Sequence, residues 1–219
     1  MKCLKITIVT VCYNAAEEIA KTMKSVLNQS FDDLEYIIID GRSEDNTIAI
    51  IEQTLNKYKD KNVKLISEPD DGIFDAMNKG IRMATGEYVN FMNAGDTFYS
   101  NRTLDLIFND DSIKSYDVIF GDQYLEGGRK KKMQPFIYKN GGYMNMGICH
   151  QCIFVRTRVA QKYLFDTSFK IAADYNMIYT LFSLGYKFKD THIPVSIFDT
   201  NGYSAQNRLL QVDETARVC

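Results

Sequence analysis

Residues 88–97 read YVNFMNAGDT, an apolar run that ends in an amide, Asn93, and a carboxylate, Asp96, separated by Ala94 and Gly95. An amide offers both donors and an acceptor. A carboxylate accepts hydrogen bonds and ligates hard cations, and two small residues between them leave space for an approaching group. Three other apolar runs end in a similar way. ITIVTVCYN stops at Asn14, EYIIID stops at Asp40, and VKLISEPDDG stops in a loop over 67–72 that includes Asp71 and Gly72. Each of these alone reads equally well as a cap or turn residue. Four runs with the same ending point to one shared polar rim.

The elements that would carry this rim follow from hydrophobic periodicity. Ile6 to Val11 and Glu35 to Asp40 are continuous, β-branched and apolar, as strands buried on both faces must be. Val63 to Ile66 and Tyr88 to Met92 read as strands three and four. Between them lie helical stripes: Ile19, Met23, Val26 and Leu27, then Ile48, Ile51 and Leu55, then Ile73, Met77, Ile81 and Ala84. Ser43 and Asp45 are N-cap candidates for the second helix, and Gly86 closes the third. The order β-α-β-α-β-α-β predicts a doubly wound, mostly parallel α/β sheet, whose ligands sit beyond the carboxyl ends of its strands. From about residue 100 the pattern turns mixed. A helix is expected near Thr103 to Phe108, strands at Asp117 to Phe120 and Ile148 to Val155, and helices after Thr157 and near Asp174 to Leu184, extending the same sheet.

Composition narrows the class. The chain has 219 residues, 45% hydrophobic and 25% charged, with a formal net charge of -2, which suits one soluble domain and gives no support to a nucleic-acid binder. No stretch reaches the roughly 18 apolar residues of a spanning helix, and the first residues lack an apolar leader, so a cytoplasmic protein is expected. Five cysteines, an odd number, fit reduced thiols in that compartment. The Cys149-His150-Gln151-Cys152 stretch lacks the second ligand pair of a structural zinc site. Arg129 to Lys132 is the one basic run; it is either a solvated hairpin tip or a contact for an anionic membrane surface or a lipid diphosphate. After strand one the chain carries CYNAAEE, which excludes G-x-G-x-x-G and P-loop phosphate cradles, and it lacks the basic glycine-rich loop of a sugar nucleotidyltransferase.

The segments TVCYNAAEEIAKTMKSVLNQSFDDLEYIIIDGRSEDNT and SEPDDGIFDAMNKGIRMATGEYVNFMNAGD closely resemble the nucleotide-sugar-binding half of family 2 glycosyltransferases, which have the GT-A fold. HQCIFVRT, FKIAADYNM and FDTNGYS are more weakly similar to the acceptor half of bacterial members that build capsule, O-antigen or other surface polysaccharides such as exopolysaccharide and lipopolysaccharide. The resemblance implies a nucleotide-sugar-binding half over 1–100 and an acceptor-binding half over 101–219 of one GT-A domain. It implies a UDP-sugar donor, a glycan acceptor that is lipid-linked in some members, and Mg²⁺ or Mn²⁺ between the phosphates. For a lipid-linked acceptor the enzyme would sit peripherally at the inner membrane face. A homodimer is compatible with all of this.

Site roles carry over by the same resemblance. Relatives place an acidic motif of the D-x-D type at the end of strand four; here it is Asn93-Ala94-Gly95-Asp96, so Asp96 is the implied metal ligand and Asn93 a neighbour on the ribose, a sugar hydroxyl or a metal-bound water. Asp40 would accept from the base. Thr10, Val11, Asn14 and Glu17 would flank base and ribose, although Glu17 also reads as a solvated first-turn acid. Asp71 and Gly72 would close over the base, with Asn78 and Lys79 toward the donor. Asp174 matches the general base, with Asp166 and Asp199 as rivals. His150, Tyr203 and Ser204 are implied contacts to acceptor or diphosphate, the last two on a flap with Gly202. A non-catalytic nucleotide-sugar-binding subunit is the alternative reading.

Overall fold

The computed structural model describes residues 5–125, 149–198 and 207–218, and the backbone of the short strand segments 130–131, 137–139 and 143–145. The first four strands are β1 (Ile6–Cys12), β2 (Leu34–Asp40), β3 (Val63–Ser67) and β4 (Tyr88–Phe91). They pair in parallel in the spatial order 3-2-1-4. Every residue of β1, β2 and β4 is buried, while edge strand β3 is half-exposed, matching runs that are apolar throughout. The connecting helices are α1 (Ile19–Leu27), α2 (Thr47–Leu55) and α3 (Ile73–Met83).

Two helical details differ from the periodicity. In α3 the core face is carried by Phe74, Met77 and Ile81, and Ile73 is 42% exposed, because Gly72, at φ 113°, turns the chain so that Phe74 meets Phe165. The cap of α2 is Asn46, which makes no side-chain cap bond. Asp45 instead accepts from the Thr47 N–H and also from the Ala16 N–H, while Ser43 is drawn toward Asp40. Helix α3 packs close on the sheet. A Cβ at Gly80 would lie 2.5 Å from Val9 Cγ1, and one at Gly86 only 2.6 Å from the Thr7 backbone nitrogen.

The chain after residue 100 extends the sheet. Strands β5 (Thr97–Phe98), β6 (Val118–Leu125) and β7 (Lys130–Lys131), the separate ribbon β8 (Ile137–Lys139) with β9 (Tyr143–Asn145), β10 (Ile153–Arg156) and β11 (Phe188–Phe198) follow in order. The helices are α4 (Thr103–Phe108), α5 (Thr157–Lys162), α6 (Ala173–Ser183) and α7 (Arg208–Val218). The sheet continues β4-β10-β6-β11-β5, with β10 antiparallel to both of its neighbours. Strand β11 carries no clean alternation in sequence, and its pairing with β6 is broken around Pro194, next to His192 at φ 55°. Before β10, residues 150–152 form a short 3-10 turn, where the apolar run alone suggests strand. Asn90, fully buried in β4, imposes that turn by donating to the carbonyls of Gln151 and Ile153, with a longer contact to that of His150. No helix among the described residues is long and apolar enough to cross a membrane.

The opposite end of the sheet is bolted by Glu35, whose side chain is 1% exposed. It accepts from the Thr7 hydroxyl at 2.7 Å, the Thr85 N–H at 2.8 Å and the Lys64 ammonium at 2.9 Å. Burial alone would raise its pKa. These donors more than offset it and hold the carboxyl at about 2.

Candidate active site

Register decides which side chains meet. Cys12 pairs with Asp40 and Asp40 with Ser67, so the carboxyl ends of β1, β2 and β3 are level. The Ala94 N–H donates to the Val11 carbonyl at 3.2 Å, which lays the NAGD segment alongside them. Because β10 runs antiparallel, the turn that precedes it opens at this same edge. Antiparallel insertion thus brings residues 149–152 to face residues 93–96.

NAGD is a tight turn. The Asp96 N–H donates to the Asn93 carbonyl at 3.0 Å and Gly95 takes φ 99°, the conformation at the third position of a type II turn. Thr22 of α1 locks it, accepting from the Gly95 N–H and donating to the Asp96 carbonyl. Gly95 is therefore required by its backbone angle, in addition to the clearance that its missing side chain leaves. Asn93 and Asp96 are both buried. Gln151 donates to Asp96 Oδ2 at 2.7 Å. His150, beside it, faces Asn93 Nδ2 through Nε2 at 2.9 Å and Asp174 Oδ2 through Nδ1 at 3.2 Å. One three-residue turn therefore holds the carboxylate of NAGD with one side chain and the carboxylate of α6 with the next.

Asp174 is the second residue of α6, and its other oxygen accepts from the Tyr175 N–H at 2.8 Å. The chain entering α6 is itself held. Glu214 of α7, 2% exposed, accepts the N–H groups of Lys170, Ile171 and Ala172 at 2.7, 2.8 and 3.0 Å. Burial works against its ionisation, but the three amides and the Arg217 charge outweigh it and lower the Glu214 pKa. Arg217 also stacks over Phe169 at 4.7 Å. Asp166 accepts from Ser168 N–H within its own turn, and Asp199, Gly202, Tyr203 and Ser204 lie outside the described residues, as do the side chains of Arg129 to Lys132.

On the β1–β3 side, Asn14, at φ 48°, accepts from the Glu44 N–H and gives its own N–H to Ser43. The two loops after β1 and β2 are thereby stitched into one floor. Above it stand the exposed Glu17 and Tyr13, the latter 61% exposed. Gly41 lies under Tyr13 and Asp70: a Cβ there would come 2.5 Å from Asp70 Oδ2. Asp70 Oδ1 in turn accepts from the Gly72 N–H, leaving Asp71 exposed at the loop tip.

Several expected ligand contacts have structural tasks. Asp40 is fully buried and accepts from Ser43, Ser67 and the Cys12 thiol, so its carboxylate shapes the floor rather than lying open to a base. Thr10 donates to the Met92 carbonyl and bonds the Tyr36 hydroxyl, and Val11 is buried beside it. Both amide atoms of Asn78 are engaged by the backbone of Phe165, and Lys79 is tied to Glu68, Asp75 and the Pro69 carbonyl. The amide of Asn78 is buried and spent on that backbone rather than offered to a donor, since an apolar helix face must pair any amide it carries. Cys149 and Cys152 bond separate partners, Gln123 and Ser196, and burial pushes the Cys152 thiol well up, as burial and the Asp40 charge do for Cys12. No local sequence pattern marks Tyr13, Gln151 or Glu214 as part of the site. Asn90 carried a signal, as a polar residue inside a buried strand.

A divalent cation fits only in part. Among the described residues no three His, Cys, Asp or Glu side chains converge to hold one. Asp96 offers a carboxylate, and the buried Oδ1 of Asn93, three residues away, has no hydrogen-bond partner. This is a donor set for a cation that arrives with phosphate oxygens and keeps its own waters.

A sequence model of glycosyl transferase family 2 matches residues 7–165. The chain belongs to that family. Among curated relatives, the poly(ribitol-phosphate) beta-N-acetylglucosaminyltransferase TarP of Staphylococcus aureus is 26% identical over 222 residues, covering 93% of this chain and 67% of TarP. Two solved structures share the GT-A fold: S. aureus TarS in complex with UDP, with TM-score 0.72, 20% identity and coverage of 96% and 65%, and the mannosyltransferase PcManGT of Pyrobaculum calidifontis with GDP-Man and Mn²⁺, with TM-score 0.73, 17% identity and coverage of 95% and 61%. The chain spans only part of such relatives, 37% of a cholesterol galactosyltransferase of Borreliella burgdorferi and 67% of TarP.

Proposed function

We propose that this family 2 member transfers a sugar from a nucleotide diphosphate sugar, in the first place a UDP-sugar, to a hydroxyl of a saccharide acceptor in a cell-surface polymer, with inversion. The observation that carries the reading is that the turn 150–152 holds Asp96 and Asp174 together at the carboxyl edge of the sheet. TarS in complex with UDP and the polymer named for TarP support the donor and acceptor classes. If the acceptor is lipid-linked, the enzyme works peripherally at the inner face of the membrane.

In this reading the stitched floor of Asn14, Ser43 and Gly41 receives base and ribose, with the exposed ring of Tyr13 offered to the base face. Asp71 and Gly72 form the movable side of that pocket, and the half-exposed Ala94 borders the diphosphate. Asp96 would hold a Mg²⁺ or Mn²⁺, which would supply charge neutralisation for the diphosphate leaving group. Asp174 takes the proton of the acceptor hydroxyl as its oxygen bonds to the anomeric carbon. The bond from that carbon to the diphosphate breaks on the opposite face, and the nucleoside diphosphate leaves. General base assistance of this kind is worth about 10²–10⁴-fold.

The test is nucleoside diphosphate release by the purified protein over a panel of UDP- and GDP-sugars with Mn²⁺ or Mg²⁺ and oligosaccharide acceptors. Asp174→Asn is expected to lower transfer by at least about 100-fold while still binding UDP. Asp96→Asn is expected to abolish the metal dependence. Nucleotide-sugar binding without turnover by the unaltered protein would instead establish a binding subunit.

A further inference from the structure

The side-chain amide of Asn93 meets a histidine ring. The ring bridges two very different partners. On its Nδ1 side, 3.2 Å away, is a carboxylate oxygen of Asp174, and an ionised carboxylate can only accept. On its Nε2 side, 2.9 Å away, is the amide nitrogen of Asn93, which can only donate. Both bonds form at once in a single neutral state of the imidazole: proton on Nδ1, lone pair on Nε2.

We infer that Asn93 selects the Nδ1–H tautomer of His150, and that His150 in this tautomer is a positioning residue that aims Asp174 at the acceptor hydroxyl. The inference deepens the proposed function and rests on Asp174 as the base. Its parts are held independently of any ligand. Asn93 is fixed by the NAGD turn, whose Asp96 N–H closes on its carbonyl and whose Gly95 is locked by Thr22. The backbone that carries the ring is fixed by Asn90, which gathers the carbonyls of residues 150, 151 and 153 on one amide. Both side chains of the pair His150–Asp174 are mostly buried, at 19% and 15% exposure, so water competes weakly for the bond. A carboxylate tied at Oδ1 to Tyr175 N–H and at Oδ2 to an Nδ1–H is held in one rotamer, so the lone pair left on each oxygen has a fixed direction. An acid at position 93 would accept instead of donate. It would require a proton on Nε2 and leave the ring either doubly protonated or turned away from Asp174.

The arrangement has a direct spectroscopic readout, because the chain has two histidines, His150 and the exposed His192. Protein carrying ¹⁵N-histidine is examined at pH 8 by long-range ¹H–¹⁵N correlation, with His192→Gln to assign the signals. Nδ1 of His150 is expected to carry the proton and Nε2 to be bare, the reverse of the tautomer that free neutral histidine favours. In Asn93→Asp the Nε2 is expected to become protonated. In the transfer assay His150→Gln is expected to lower kcat about 10- to 100-fold, the scale of a misplaced reacting group, with the KM for the nucleotide sugar unchanged. A proton on Nε2 of the unaltered protein overturns the inference. So does a wild-type kcat in His150→Gln when Asp174→Asn is inactive. Full transfer by Asp174→Asn overturns the assignment of the base instead, and leaves the tautomer result standing on its own.

Discussion

Replacing Glu35 by Gln tests how the sheet that carries the site is held together at its far end. Glu35 is buried in β2 and receives Thr7 of β1, the Thr85 backbone after α3 and Lys64 of β3, so one carboxylate joins three strands. A carboxyl held at about 2 instead of 4.5 has its ionised form stabilised by the fold by about 3 kcal/mol, at roughly 1.4 kcal/mol per tenfold change in proton affinity. The folded pKa is depressed, so this stability is fully present above about pH 5 and is lost as the pH falls from 4.5 toward 2. Gln resembles the protonated acid. Glu35→Gln is therefore expected to be about 3 kcal/mol less stable at pH 7, a Tm lower by roughly 6–12 °C for a chain of this size, and the difference should vanish near pH 2. The assay is urea unfolding of both proteins at pH 7, 5 and 3, compared as a difference so that all other titrating groups cancel. A loss below about 1 kcal/mol at pH 7, or a loss that does not shrink with acid, would refute the account.

Two further perturbations probe the site itself. Glu214→Ala removes the acceptor of three backbone N–H groups at the entry to α6 and should cost about 3 kcal/mol; hydrogen exchange should show the amides of residues 170–172 losing protection, and unchanged protection would count against the clamp. Because the Glu214 pKa is lowered, its contribution is present above the ordinary glutamate range and fades as the pH drops below it. Gly41→Ala pushes a methyl against Asp70 Oδ2 and so loosens the Asp70–Gly72 bond that shapes the loop after β3. If the proposed UDP-sugar donor is correct, UDP affinity measured by calorimetry should fall about tenfold, the worth of one hydrogen bond to a charged group, with the Tm changed by only a few degrees.

Sequence patterning alone was sufficient for the first half of the fold. Runs such as ITIVTVC and LEYIIID are apolar on both faces, which admits only a strand covered from both sides, and three helical stripes between four such runs leave a parallel sheet with its polar ends on one rim. The second half was less legible. Strand β11 mixes Lys, Asp, Thr and His with a proline, and it is a strand because β6 supplies its partners, not because its own pattern demands one. The inward shift from Ile73 to Phe74 in α3 likewise depends on Phe165, a residue distant in sequence.

The candidate site divides along the same line. That Asn14, Asp71, Asn93 and Asp96 gather at one edge is a consequence of strand direction, which local sequence determines. Which of them lie open, and which are spent, is a matter of burial and hydrogen-bond partners that only the assembled chain supplies. Asp40 and Asn78 look like ligands in the sequence and are satisfied internally. The pairing of His150 with Asn93 and Asp174, and of Gln151 with Asp96, exists because β10 runs antiparallel between β4 and β6. Side chains 55 to 57 residues apart meet only through that insertion, and no periodicity within either segment encodes it.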